Sequence, residues 1–427
     1  MTPLTTARLS ASGAGWAEMP IWSLARRVSE KGHQELPLLS VYRDWGVVPR
    51  EGRTDNNNKA SEDLSGYQRV LPGDLVLNKM KTWQGSLGVS SHEGIVSPAY
   101  IVCRVDPGSV HGPFLHHLLR SAPYIASYGA LSKGIRPQQW DLLWDQFRTL
   151  PVLLPSVTEQ HRIADFLDDQ VVGLDRAILL REQQMRLLEE SALAQMAEVL
   201  SGNVDQQTGV ETGWPWLPLI PSDWSLGPVY GYFDVRLGKM INPERASGSH
   251  LRPYLRNANV RWFSITTEDV SEMSFEPQER SRYRLRTGDV LVCEGGATKT
   301  AEAAIWNGEI EECYYQKSLH RVRATSHLPA EWLLYWLRLA KHSGVFVSEG
   351  NLATIPHLTG EQLREHRIPV PPKGAIALDH LHSFLRDKEH LVALQNQSIN
   401  LLRERKQALV TAAVAGQFDV TTARRGA

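Results

Sequence analysis

The residues that could break or form bonds are few and poorly spaced for it. Asp289, Glu294 and Lys299 carry the charges of a metal-dependent nuclease, but Gly295-Gly296-Ala297 intervenes and the spacing is loose. The adjacent pair His116-His117 lacks the separation that brings two imidazoles onto one metal ion, so a structural or solvated role is expected. No P-loop is present, no Asn-Pro-Pro-aromatic motif for amino methylation, and no glycine loop for a methyl donor. Cys103, Cys293 and Cys313 are too scattered for a zinc site or a disulfide framework. The expectation is a binding or scaffolding protein with no catalytic residue, no metal and no cofactor.

The 427 residues correspond to about three domains at roughly 150 residues each. With 42 % apolar and 22 % charged residues the composition is that of a globular protein. Lysine and arginine number 46 against 47 acidic residues, which excludes a wholly basic nucleic-acid coat but permits a local basic face. No signal peptide or membrane-length apolar run is visible, so a reducing cytoplasm is the expected location. The 13 tryptophans are expected mainly in cores.

The chain contains itself twice. Tyr67-Gln-Arg-Val-Leu-Pro-Gly-Asp-Leu-Val-Leu77 has a counterpart in Tyr283-Arg-Leu-Arg-Thr-Gly-Asp-Val-Leu-Val292. Leu150-Pro-Val-Leu-Leu-Pro155 returns as Ile368-Pro-Val-Pro-Pro372, and Ile163-Ala-Asp-Phe-Leu-Asp168 as Leu381-His-Ser-Phe-Leu-Arg386, in the same order. Each copy begins with a mixed α/β part. Its strands include Asp74–Asn78, Ile101–Cys103 and Asp289–Cys293, and Glu331–Ala340 reads as a buried helix.

Each copy then ends in a long helix. Thr158 to Leu200 is interrupted only by Gly173, with Thr158 expected as its N-cap and Gly202 as its terminator. Leu167, Leu174 and Leu188 share one heptad position, and Val171, Ile178, Met185, Ala192 and Val199 another, in a seam flawed by Arg181 and Gln195. In the second copy Leu385, Val392, Ile399 and Ala413 share one position and Leu402 and Leu409 the other, and Gly416 ends the helix. The residues expected to pack the helices are Leu167, Leu174, Ile178, Met185, Leu188, Val392, Ile399, Leu402 and Leu409. Two such stripes can pack antiparallel, with the alternative that each helix covers its own globule; packed together at 1.5 Å rise, ~40 residues make a rod of about 60 Å. The expected fold is therefore α/β (α+β) and internally duplicated, with two globular domains joined by two long antiparallel coiled-coil helices in pseudo-twofold relation. The expected divisions are 1–157, a first globular domain; 158–202, a central helix; 203–374, a second globular domain; 375–416, a C-terminal helix; and 417–427, a tail.

This organisation resembles the specificity subunits of type I restriction-modification enzymes. Leu150-Pro-Val-Leu-Leu-Pro155 with Glu159-Gln160-His-Arg-Ile-Ala-Asp-Phe-Leu167 carries the resemblance, together with Ile355-Pro-His-Leu-Thr359 and Arg367-Ile-Pro-Val-Pro-Pro372. Ile220-Pro-Ser-Asp-Trp224 looks like the family's lead-in to a recognition domain, and Pro253-Tyr-Leu-Arg-Asn-Ala-Asn-Val260 like part of one. The second copy departs from the pattern: Ala375-Ile-Ala-Leu-Asp379 stands where a Glu-Gln pair is expected, and its helix is about one turn shorter.

The resemblance implies two target recognition domains, each reading half of a split, asymmetric double-stranded DNA site. It also implies helices that space the halves and bind methyltransferase subunits, likewise two, with a separate motor-nuclease subunit reached through them and no membrane partner. Two globules on one rod meet the same duplex face near one helical turn apart, ~34 Å. Reading bases calls for Arg or Lys on guanine and Asn or Gln on adenine. Candidate readers by residue type and loop context are Asn78, Lys79, Lys81 and Trp83, then Lys133 and Arg136, in the first domain. In the second they are Arg256, Asn257, Asn259, Arg261 and Lys299. Two further readings stay open: an enzyme of the same broad system with its own nuclease or methyltransferase activity, and a generic coiled-coil scaffold.

Overall fold

A computed structural model describes residues 15–51, 61, 63–132, 140–204, 208–240, 250–296, 298–348 and 357–420. The chain divides into two compact units. Unit 1 comprises Met1–Gln183 and Leu394–Ala427; unit 2 comprises Gln184–Ala393.

In unit 1 the first strand, β1 (Ala17–Pro20), is followed by β2 (Ala25–Val28), β3 (Leu75–Asn78), β4 (Leu87–Val89) and β5 (Tyr100–Val105). Strands β2, β5, β3 and β4, in that spatial order, form an antiparallel sheet. Its central strands are almost continuously apolar because both faces are covered. Leu75, Leu77, Ile101 and Cys103 point into one core with Phe114, Leu115 and Leu118 of helix α1 (Gly112–Leu119). The alternate residues Val76 and Val102 point into a second core with Leu39, Val41, Val47, Val70 and Val96. Strand β6 (Pro151–Leu154) pairs antiparallel with β1 and leads into helix α2 (Val157–Leu200). Prolines are tolerated in this isolated two-stranded pair because it has free edges.

Unit 2 repeats the plan. Its elements are β7 (Ser225–Pro228), β8 (Phe233–Leu237), β9 (Leu251–Leu255), β10 (Ser271–Ser274), α3 (Pro277–Tyr283) and β11 (Val290–Cys293). There follow β12 (Ala303–Ile305), β13 (Tyr314–Tyr315), β14 (Leu319–Ala324), α4 (Ala330–His342), β15 (Arg367–Val370) and α5 (Asp379–Val414). The sheet order β8-β14-β11-β12 matches that of unit 1 strand for strand, and β7 pairs with β15 as β1 does with β6. The duplicated Leu-Pro-Val-type motifs are therefore the strands that enter the long helices. Beside the sheet, β9 pairs with β10 and, in parallel, with β13.

The repeated Gly-Asp motif has a structural cause. Gly73 and Gly288 turn at φ +92° and +89°, where a Cβ is strained. The following Asp74 and Asp289 are 0 % and 1 % exposed. Each accepts a backbone N–H three residues back, from Leu71 at 2.9 Å and from Arg286 at 2.7 Å. Each also pairs with an arginine of the neighbouring strand, Arg104 and Arg323, both at 2.6 Å.

The long helices show the same duplication at their ends. After α2 the N–H groups of Gly202 and Asn203 bond the carbonyls of Val199 and Glu198; after α5 those of Gly416 and Gln417 bond Ala413 and Ala412. This is the Schellman arrangement in both copies, with Gly202 at φ +67° and Gly416 at φ +65°. Trp224 closes over the first glycine and Trp16 over the second, each 2.8 Å from where a Cβ would stand. Gly416→Ala is expected to cost about 1–2 kcal/mol for the left-handed backbone, and more if Trp16 is displaced. Hydrogen exchange of unit 1 peptides and the Trp16 fluorescence check it. At the other end, Ser156 rather than Thr158 caps α2, its Oγ accepting from Glu159 N–H at 3.3 Å.

Within unit 1 the residue numbers rise along α2 as they fall along α5, so the segments run antiparallel. Asp175 accepts from Lys406 at 2.7 Å, Arg181 donates to Ser398 at 2.7 Å, and Arg403 donates to Glu182 at 3.1 Å. Arg181, out of place in an apolar seam, thus has a partner on the facing helix. Within unit 2, Glu189 of α2 takes Arg338 of α4 at 2.5 Å and also Lys388 of α5. Leu167, Ile178 and Ile399 are buried, while Leu174, Met185, Leu188, Val392, Leu402 and Leu409 are half-buried.

Candidate nucleic-acid interface

In both units the loop after the inner sheet strand carries residues suited to base or phosphate contact. After β3, Asn78 folds the chain tightly. Its Oδ1 accepts from Met80 N–H at 3.2 Å, and its carbonyl accepts Lys81 N–H at 3.0 Å and Thr82 Oγ at 2.7 Å. Asn78 is thereby a turn former first. The turn presents exposed Lys81 and half-buried Lys79, and Trp83 donates Nε1–H to the Met80 carbonyl at 3.0 Å. Trp83 also packs on Trp140 with ring centres 5.1 Å apart. Lys133 and Arg136 lie outside the described residues.

After β11 the loop Glu294-Gly295-Gly296 meets the segment that follows β9. Asn257 donates Nδ2–H to the Gly295 carbonyl at 2.5 Å, and its backbone N–H donates to Ser318 Oγ at 3.1 Å. Lys299 Nζ donates to the carbonyls of Asn257 at 2.6 Å and Val260 at 3.1 Å. Arg256 pairs with Asp269 at 2.6 Å and remains one-third exposed. Asn257 Oδ1 and Arg256 Nε have no hydrogen-bond partner among the described residues. The structure thus gathers Arg256, Asn257 and Lys299 into one cluster, with exposed Arg261 on the next strand pair.

One of the sequence-selected readers, Asn259, is corrected by this geometry, and a second, Lys299, is partly engaged. Asn259 is 3 % exposed and fully spent: Oδ1 accepts from Arg256 N–H, and Nδ2 donates to the carbonyls of Thr266 and Asp269. It staples the loop instead of facing a base. Lys299, with two donors on backbone carbonyls, positions Asn257. A basic run that the choice of readers passed over is Arg280, Arg282, Arg284 and Arg286, with the last three exposed. Its signal was in the sequence, as four like charges at alternate positions.

The groups that could have suggested catalysis are otherwise engaged. Both oxygens of Asp289 are held by Arg323. Burial pushes the Cys293 and Cys313 thiols up to about 12 and Cys103 higher still, so none is a thiolate near neutrality. His116 is held neutral by burial and by neighbouring Arg120, and its Nδ1 lies 3.3 Å from the Val89 carbonyl. His117 meets Asp168 at 2.7 Å. Among the described residues no group of three His, Cys, Asp or Glu could hold a metal ion.

No family model matches the sequence. The type I restriction enzyme StySPI specificity subunit of Salmonella potsdam is 23 % identical over 329 residues. The match takes in 70 % of this chain and 66 % of that protein, just under two thirds of its length. A solved chain from work on complex assembly and conformational transition of the type I R-M system superposes with a TM-score of 0.65 at 16 % identity. That superposition covers 95 % of this chain and 99 % of the other, and shows that the two share a fold. The HsdS subunit from Thermoanaerobacter tengcongensis aligns with a TM-score of 0.43 at 16 % identity, over 95 % of this chain and 98 % of that one.

Proposed function

We propose that this chain is a specificity subunit of a type I restriction-modification enzyme, the class its sequence resembles and whose fold it has. Each unit reads one half of a split, asymmetric double-stranded DNA target. The long helices set the spacing between the halves and dock methyltransferase subunits, two in number. Through these the chain reaches a motor-nuclease subunit, and it performs no covalent step itself.

One observation carries the reading. The scaffold is duplicated down to its sheet order, its buried Asp-Arg pair and its helix caps, while the loops mounted on it differ. Asn78, Lys79, Lys81 and Trp83 occupy one loop; Arg256, Asn257 and Arg261 lie in the other unit. A common frame bearing unlike polar tips suits two different short sequences read by one mechanism.

Co-produced with its methyltransferase subunit, the chain is expected to direct modification to a two-part site with unlike halves. Arg256→Ala should relax discrimination at one half by about 5–150-fold, the worth of one good base contact, and leave the other half untouched. Sequencing of modified DNA measures both. An undivided site, or turnover by the chain alone, would overturn the assignment.

A further inference from the structure

We propose that Arg280, Arg282, Arg284 and Arg286 form a phosphate-gripping strip in unit 2 that has no counterpart among the described residues of unit 1. The inference rests on the DNA-reading function and adds a second, sequence-blind contact to it.

Charge balance sets these four arginines apart from their neighbours. Arg252, Arg256, Arg321, Arg323 and Arg338 of unit 2 each pair with a carboxylate. Among the described residues, none of the four strip arginines forms an ion pair. Their contacts are neutral ones: Arg280 Nε to the Phe275 carbonyl at 3.3 Å, Arg284 to the Glu311 carbonyl at 3.3 Å, and Arg282 over the Tyr283 ring at 5.3 Å. Such contacts hold a guanidinium in place without cancelling its charge. The nearby Glu312 is already committed to Arg252 and to the Tyr314 hydroxyl.

Arg280 and Arg282 lie on α3, and the chain leaving it is extended towards β11. There Leu285 is buried while Arg284 and Arg286 are exposed, so alternation sends both to one side, ~7 Å apart. Arg280, Arg284 and Arg286 border an open cleft of about 630 Å³ also lined by Trp306, Tyr314 and two acidic residues, Glu311 and Glu312, so three arginines there face two carboxylates. Strand β9 links this region to the reading cluster: Arg252 near its start pairs with Glu312, and Arg256-Asn257 follow its end. Four residues of strand are about 13 Å, or about four base-pair steps at 3.4 Å. Planar guanidinium forks match phosphate oxygens better than any other side chain.

Unit 1 provides the contrast. At the equivalent place, Arg69 is neutralised by both Glu30 at 2.7 Å and Glu93 at 2.6 Å. The two halves of the target are therefore held unequally, with unit 2 supplying more of the salt-sensitive affinity.

The test is the salt dependence of binding to target DNA, by full-length chain with its methyltransferase subunit. Changing all four arginines to glutamine should make the slope of log K against log salt shallower by about 3, and weaken binding roughly 10–100-fold near 0.15 M salt. The preferred bases should stay the same. Lysine at all four positions should restore the slope, and so also shows that the fold tolerates change there. An unaltered slope in the glutamine variant, or a change in the preferred bases, overturns the strip as a phosphate contact. Wild-type protein without sequence preference overturns the parent function instead.

Discussion

Asp289→Ala is expected to destabilise unit 2 by about 3 kcal/mol or more, and Asp74→Ala to do the same to unit 1. Breaking a buried ion pair by removing one partner costs ~3–5 kcal/mol, because the other charge is left without compensation. Arg323 and Arg104 retain 26 % and 35 % side-chain exposure, which places both cases at the lower end of that range. The lost carboxylate also strands the backbone N–H of Arg286 or Leu71 at the mouth of the turn. With two compact units one melting temperature is ill-defined, so hydrogen exchange of peptides from each unit is the suitable measurement. Asp289→Ala should raise exchange in β11 and β14 and leave β3 and β5 protected; Asp74→Ala should do the reverse. Replacing Asp289 by leucine together with Arg323 by methionine should recover most of the loss. A change below about 1 kcal/mol in the single variant would show that the pair contributes little.

The same motif shows what can be read from a sequence. Gly-Asp was visible as a repeat because two local needs coincide, a positive φ and a carboxylate that closes the turn. Its arginine partners were not, because Arg104 and Arg323 lie 30 and 34 residues away and only strand pairing brings them back. The helix seam was legible for a like reason, since period and length suffice to mark it. The misplaced N-cap was avoidable: Ser156-Val-Thr-Glu159 has the Ser-x-x-Glu spacing of a capping box. The flanking tryptophans could not be assigned, because nothing local says that Trp16 and Trp224 close over glycines at the ends of two helices.

The reading loops were hardest because the residue types that recognise bases also hold loops together. Burial separates the two roles, and burial is a property of the fold. Lys299 reads as a base-contacting residue from its type and glycine context, yet two of its three ammonium donors hold the carbonyls of Asn257 and Val260. The arginine strip is legible as a charge run, but only the structure shows that the neighbouring Glu279 and Glu312 pair with Lys239 and Arg252 and leave the four arginines without an ion pair among the described residues.

Asn257 and Asn259, two residues apart, should therefore part company on substitution. Asn259→Ala removes three part-buried hydrogen bonds and leaves Arg256 N–H and the carbonyls of Thr266 and Asp269 without their protein partner. At about 1–3 kcal/mol for each buried group left unsatisfied, with partial rescue by water, the expected cost is roughly 2–4 kcal/mol in unit 2. Reading of its half-site is lost with it, since Arg256 and Asn257 are no longer held. Asn259→Asp offers no rescue, because its carboxylate would face two carbonyls that need donors. Asn257→Ala gives up one bond to Gly295 and should cost only about 1 kcal/mol. Its effect should instead appear as a roughly 10–100-fold loss of discrimination at one base. Hydrogen exchange over residues 250–296, paired with binding to single-base variants of the target, separates the outcomes. Normal stability in Asn259→Ala removes the staple; full discrimination in Asn257→Ala removes that residue from the reading set.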